Sequence, residues 1–134
     1  MAERTEFELV SPERLLLSEP VEMVVVPGSE GDFGVLPRHA PFITTLRPGV
    51  IDVYEAGKVK DRIFVSGGFA EVTPQRCTVL ADEALPVAEI DTGKAEQDIR
   101  DFTADLAEAK TVEERARLTR AVEVAKAKIR AASH

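Results

Sequence analysis

The sequence predicts an all-β antiparallel sandwich over residues 1–86, followed by an antiparallel α-helical hairpin over residues 87–134: β then α, two small domains. Two observations carry this. All eight prolines lie between Pro12 and Pro86, and seven of the eight glycines between Gly28 and Gly68, whereas the 41 residues after Gly93 contain neither. Gly and Pro build turns and interrupt regular structure, so the first part reads as many short elements and the second as long helix. The hydrophobic period also changes, from two residues in the first part to about 3.6 in the second.

The strand period starts with Phe7 and Leu9 flanking Glu8, and continues with Val21 and Met23 flanking Glu22. Ile51, Val53 and Glu55 share one parity, with Asp52 and Tyr54 on the other. Strand-length runs follow at Arg62 to Ser66, Phe69 to Thr73 and Arg76 to Leu80. Turn signals separate these runs at Pro27-Gly28-Ser29, Pro48-Gly49, Ala56-Gly57-Lys58, Gly67-Gly68 and Thr73-Pro74-Gln75. Short strands with a turn every eight to twelve residues indicate a sandwich or barrel. Six Phe among many Val, Ile and Leu predict an aliphatic core.

In the second part Ala95, Ile99, Phe102, Leu106 and Ala109 line one helical face, and Leu118, Val122, Ala125 and Ile129 another. The helices are expected over about 92–109 and 112–132. Asp91 or Thr92 caps the first. Thr111-Val112-Glu113-Glu114 has the Thr-x-x-Glu form of a capping box and opens the second. Charge is polarised between them: residues 91–108 hold six acids and two bases, residues 109–134 three acids and seven bases. The simplest reading is that the helices complement each other. The other is that the basic second helix leaves its partner for an acidic surface elsewhere, which a narrow Ala-rich stripe permits.

Composition excludes several function classes. With 24 Asp+Glu against 17 Lys+Arg, the net charge of −7 does not suit general nucleic-acid binding, which needs a positive face. One cysteine forms no intrachain disulfide, and nothing stands beside it at zinc-ligand spacing. The opening residues, Met1 to Glu6, carry acids and no apolar run, unlike a secretory signal. Apolar runs of three to four residues fall far short of a membrane span. A soluble protein needing no oxidising compartment is expected. Catalytic candidates are few. His39 and His134 are the two histidines, and His134 is expected to fray at the terminus. Cys77 alternates with Val79 and reads as a small buried side chain. Gly28, Gly31 and Gly34 are followed by strand rather than helix, so they form no phosphate cradle. Neither a catalytic residue nor a metal site is expected. The Pro27–Pro48 segment reads as a loop that projects Glu30 and Asp32 from one end of the sandwich.

Several motifs resemble one family in order and spacing: Pro27-Gly28-Ser29-Glu30-Gly31-Asp32-Phe33-Gly34-Val35-Leu36-Pro37-Arg38-His39-Ala40-Pro41, Leu46-Arg47-Pro48-Gly49, Ser66-Gly67-Gly68-Phe69-Ala70-Glu71-Val72 and Val79-Leu80-Ala81-Asp82. With Phe7 to Glu13 at the first strand and a hairpin following, the chain resembles the epsilon subunit of F-type ATP synthases. That resemblance implies a non-catalytic rotor subunit of the central stalk. It would bind the gamma subunit, rest on the membrane c-ring, couple rotation to ATP synthesis and inhibit ATP hydrolysis through the hairpin. The place implied is the cytoplasmic face of the bacterial inner membrane, peripheral and reached only through the complex. Ser29, Glu30 and Asp32 match the ring-facing loop, and His39 with Arg38 the gamma contact. Arg38 stands where the family usually has Gly.

The resemblance implies no cofactor, and regulatory ATP is the single ligand it raises. Some members carry an Ile/Leu-Asp-x-x-Arg-Ala motif for ATP, matched here by Ile90-Asp91-Thr92-Gly93-Lys94-Ala95. Lys94 replaces the planar Arg by a point charge. Of two arginines expected four apart on the second helix, Arg120 matches one and Val124 stands at the other place. A weakened or absent ATP site follows. Contacts to the alpha/beta head would come from Arg115, Arg117, Arg120, Lys126, Lys128 and Arg130. The alternative is a stand-alone nucleotide-sensing module with the hairpin as lid.

Overall fold

A computed structural model describes residues 3–133, so His134 and the first two residues of the acidic N-terminal segment lie outside the described residues. The chain divides into two compact units between Val87 and Ala88.

The first unit contains ten strands among the described residues: β1 (Thr5–Val10), β2 (Leu15–Val21), β3 (Met23–Gly28), β4 (Gly31–Val35), β5 (Phe42–Leu46), β6 (Gly49–Glu55), β7 (Lys58–Val65), β8 (Gly68–Val72), β9 (Arg76–Ala81) and β10 (Ala84–Pro86). Pairing runs β10-β7-β6-β3-β5-β8-β9-β1-β2, with β4 on β3. Between β3 and β5 it narrows to one pair, Gly28 with Leu46. The strands therefore split there into two layers that enclose the core. Alternate residues point inward, as the period of two requires. Phe7, Leu9, Val24, Val26, Ile51 and Val53 are among the fully buried side chains, and the core is mainly aliphatic, with Phe7 and Phe64 its fully buried aromatics.

Local turn chemistry explains the connections. Ala56 and Gly57 have φ of 52° and 74°, the doubly left-handed two-residue turn that matches strand twist in the β6–β7 hairpin. Gly68, at φ 124°, opens β8 where a Cβ would run into the Leu80 carbonyl, so only glycine lets β8 and β9 meet.

The structure departs from expectation at four places. β1 and β9 pair in parallel, Phe7 opposite Cys77, whereas all-antiparallel pairing is expected. No hairpin joins them, so turn geometry does not fix their relative direction. The chain bends at Glu22 and the alternation restarts: Val21 and Val24 are buried while Met23 is half-buried. Pro27 and Gly28 lie inside β3 rather than in a turn, and the Pro27–Pro48 loop contains β4 and β5. Gly28 is needed there because a Cβ would come within 2.8 Å of the Gly31 carbonyl and 3.0 Å of the Phe33 ring. Lastly, Ala84–Pro86 pairs with β7 as a tenth strand and leads into a short 3-10 turn, Val87–Glu89.

In the second unit, α1 spans Thr92–Ala107 and α2 Val112–Ala132. Asp91 caps α1, its carboxylate accepting from the Lys94 amide at 3.0 Å. The Thr111 hydroxyl caps α2, accepting from the Glu114 amide at 3.0 Å. Both capping side chains occupy extended backbone, so the chain must leave α1 before Thr111. This ends α1 at Ala107 rather than 109. Ala109 is buried in the connection instead of on the helix. Both expected apolar faces are buried or half-buried along their length, and Ala127 and Ala131 are buried besides.

Candidate functional site

The Ser29–Glu30 turn between β3 and β4 forms an exposed tip. Residues 45–47, at the β5–β6 corner, hold it from the side. The Ser29 amide donates to the Thr45 carbonyl at 2.9 Å, the Arg47 amide donates to the Pro27 carbonyl at 3.0 Å, and the Thr45 hydroxyl donates to Ser29 Oγ at 3.0 Å. The Arg47 guanidinium donates to the Gly28 carbonyl and to the Asp32 carboxylate. Of the three tip residues marked in the sequence, Ser29 and Asp32 are therefore tied down. Glu30 is exposed, with no ion-pair partner among the described residues. A shallow groove beside the tip is lined by Glu30, Asp32, Phe33, Phe42, Ile43 and Thr44.

Arg38 and His39 sit in the turn that follows β4. The His39 amide donates to the Leu36 carbonyl at 3.2 Å, with Pro37 second and Arg38 third at φ 66°. A turn with positive φ at its third residue favours glycine, so Arg38 holds a backbone conformation that few side chains adopt. The Arg38 side chain is directed to Glu3: Nε donates to Oε2 at 2.8 Å and a second nitrogen to Oε1. That hydrogen bond holds the Glu3 carboxyl below its ordinary value and the guanidinium above its own. His39 takes another route, its Nδ1–H donating to the Ala40 carbonyl at 2.7 Å. Its ring lies 5.2 Å from that of Phe42, which meets Phe33 edge-on at 4.9 Å. Arg38 and His39 thus adjoin in sequence but serve separate contacts.

Sequence reasoning missed a row of apolar side chains on the outer face of the layer formed by β5, β8, β9, β1 and β2. Register places Phe69, Leu80, Val10 and Leu15 side by side across β8, β9, β1 and β2. Phe69 is 44%, Leu80 41% and Leu15 57% exposed, and Val10 is half-buried. On β5, Ile43 is 67% exposed. The signal was present: Phe69 and Leu80 are large apolar residues on the parity opposite to buried Ala70, Val72, Val79 and Ala81. Contiguous exposed apolar surface of this kind marks contact with other macromolecules.

No reactive group stands out. Cys77 is fully buried, and burial pushes its thiol up to about 12, the opposite of an activated nucleophile. Among the described residues no cluster of three or more His, Cys, Asp or Glu has metal-binding arrangement. No helix among them is long and apolar enough to cross a membrane.

In the hairpin, the residues of the ATP motif hold structural positions. Asp91 is the α1 cap, and the Ala95 amide donates to the Asp91 carbonyl at 3.0 Å, with Ala95 buried. Lys94 pairs with Asp98 one turn along, and that hydrogen bond raises its pKa. Ile90 is half-buried and Arg120 is exposed. Of the basic set, Arg117, Lys126 and Arg130 are exposed and Lys128 half-buried. Arg115 donates to the Ala109 carbonyl at 3.2 Å, so it stitches the turn between the helices.

The family described as ATP synthase, Delta/Epsilon chain, beta-sandwich domain matches residues 4–87. An ATP synthase epsilon chain of Rhodospirillum rubrum is 58% identical over 127 residues, covering 95% of both chains. One of Paramagnetospirillum magneticum is 54% identical over 127 residues, 95% of this chain and 96% of that one. The chain belongs to the ATP synthase epsilon-chain family. As a family member it is a non-catalytic central-stalk subunit of the rotary complex. A chain in the Euglena gracilis mitochondrial ATP synthase (OSCP/F1/c-ring, rotational state 1) superposes with TM-score 0.80 at 30% identity, over 98% of this chain and 82% of that one. A chain of the Tetrahymena thermophila central stalk/c-ring shares the fold, with TM-score 0.74 at 12% identity. The sandwich expected from turn spacing and the family expected from the loop motifs both agree with these findings.

Proposed function

We propose that the sandwich is the foot of the rotor: it docks gamma through its exposed apolar row and the Arg38–His39 turn, and rests its Ser29–Asp32 tip on the c-ring. The observation that carries this reading is the pairing, within one sandwich, of a continuous apolar row on one layer with a pinned acidic tip on the other. An apolar strip of this kind supplies the buried centre of an interface, and charge at the rim sets register and association rate more than affinity. The tip would face basic ring loops. In this role the chain couples rotation to ATP synthesis from the cytoplasmic face of the bacterial inner membrane, attached only through the complex. Reversing Glu30 and Asp32 to Lys tests the tip. Reassembly onto complex lacking this chain should weaken and proton-driven ATP synthesis should fall; native behaviour of both would remove the tip from the interface.

The hairpin is proposed as an inhibitory arm whose exposed Arg117, Arg120, Lys126 and Arg130 meet acidic segments of the alpha/beta head. Arg115 and half-buried Lys128 contribute less. ATP binding is proposed to be weak or lost. Lys94 is engaged with Asp98, Asp91 caps α1, and Val124 supplies no cation. The same three facts weigh against a stand-alone nucleotide sensor. Deleting residues 110–134 should raise ATP hydrolysis by the assembled enzyme, and an unchanged rate would make the hairpin structural.

A further inference from the structure

We infer that Arg47 is the positioning residue of the tip, and that Glu30 rather than Asp32 is the carboxylate the tip presents to its partner. The inference deepens the ring-facing reading and rests on it for the surface being docked.

The tip has little to hold it locally. β4 is an edge strand, paired only with β3. Gly31 has φ 139°, and a Cβ there would meet nothing within 4 Å, so the turn is both permissive and open. What fixes it comes from the β5–β6 corner. Ser29 and Pro27 are bonded through backbone to Thr45 and Arg47, and the Arg47 guanidinium reaches one acceptor on each leg of the hairpin: the Gly28 carbonyl on β3 and the Asp32 carboxylate on β4. Exposed ion pairs add little to global stability, so the consequence of this one is geometric. A planar fork with two directed donors fixes the angle between the legs, which a lysine ammonium would not. It also neutralises Asp32 within the chain. Two acids in the sequence thus become one outward charge, Glu30.

The test uses the full chain. Amide exchange at Ser29 reports the opening of the tip. Asp32→Asn should raise it about tenfold, as expected for losing one charge-assisted hydrogen bond, and Arg47→Ala, which also loses the bond to the Gly28 carbonyl, should raise it further. The double variant should match Arg47→Ala, and Arg47→Lys should fall between Arg47→Ala and native. Glu30→Gln should leave exchange unchanged and weaken reassembly onto complex lacking this chain about tenfold, with a shallower salt dependence. Native exchange in Arg47→Ala or Asp32→Asn, or additive effects in the double variant, would overturn the positioning role. Weakened reassembly by Asp32→Asn with native exchange would overturn the assignment of Glu30. If exchange shifts as expected but every variant reassembles like the native chain, the ring-facing reading falls and Arg47's hold on the tip stands.

Discussion

The sandwich and the hairpin bury different kinds of side chain. In the sandwich Phe7, Leu9, Ile51 and a set of valines are fully removed from water. In the hairpin, Leu118 is the single large side chain buried to that degree among the described residues; the others are alanines at 95, 109, 125, 127 and 131. A fully buried Val, Leu, Ile or Phe contributes about 1.5–3 kcal/mol, and a methyl group a fraction of that. The sandwich is therefore held by its core. The hairpin depends in larger proportion on local devices: the Asp91 and Thr111 caps, the Lys94–Asp98 pair and the Arg115 stitch to Ala109. Local opening is therefore expected to cost less in the hairpin than in the sandwich.

Three measurements break or sharpen this comparison. Phe7→Ala, at a fully buried position, should lose about 3–5 kcal/mol in urea unfolding of the sandwich, whereas half-buried Phe102→Ala in α1 should lose about 1–2 kcal/mol of hairpin stability. Equal losses would end the distinction.

Alkaline pH probes the core of the sandwich through Cys77. Burial raises the Cys77 thiol from 9.0 to about 12, so the folded state keeps a proton that the unfolded state releases. The stability tied to that proton is fully present below pH 9.0 and is lost as pH climbs toward 12. At pH 10 about 1.4 kcal/mol should be gone, and Cys77→Ala should flatten that slope; an unchanged slope would place its origin elsewhere.

Smallest is the cap. Thr111→Ala should cost about 1 kcal/mol, seen as faster amide exchange in the first turn of α2 while the sandwich transition stays put. Movement of both transitions together would mean that the two units do not unfold separately.

Much of this was legible in the sequence wherever the signal is short-range. The Asp91 and Thr111 caps, the two apolar helix faces and buried Cys77 follow from spacing over three to seven residues. The signal failed where a neighbour in space overrode the local pattern. Pro27-Gly28 reads as a turn, yet β4 and the β5–β6 corner draw both residues into a strand. Thr5 is polar and sits near the start, yet it is fully buried, with no hydrogen-bond partner for its hydroxyl among the described residues. Asp32 and Arg38 read as outward charges; their partners, Arg47 and Glu3, lie 15 and 35 residues away along the chain.

By itself the sequence determined where strand gives way to helix, where each helix begins, and which family the loop motifs match. These depend on backbone preferences and on the repeat of apolar residues, both local. Only the tertiary structure decided that β1 lies parallel to β9, that Phe69, Leu80, Val10 and Leu15 form one exposed row, and that Arg47 grips both legs of the tip. Each of those joins residues far apart in the chain. Which distant strands meet, and in what register, depends on how the whole core closes rather than on any single segment.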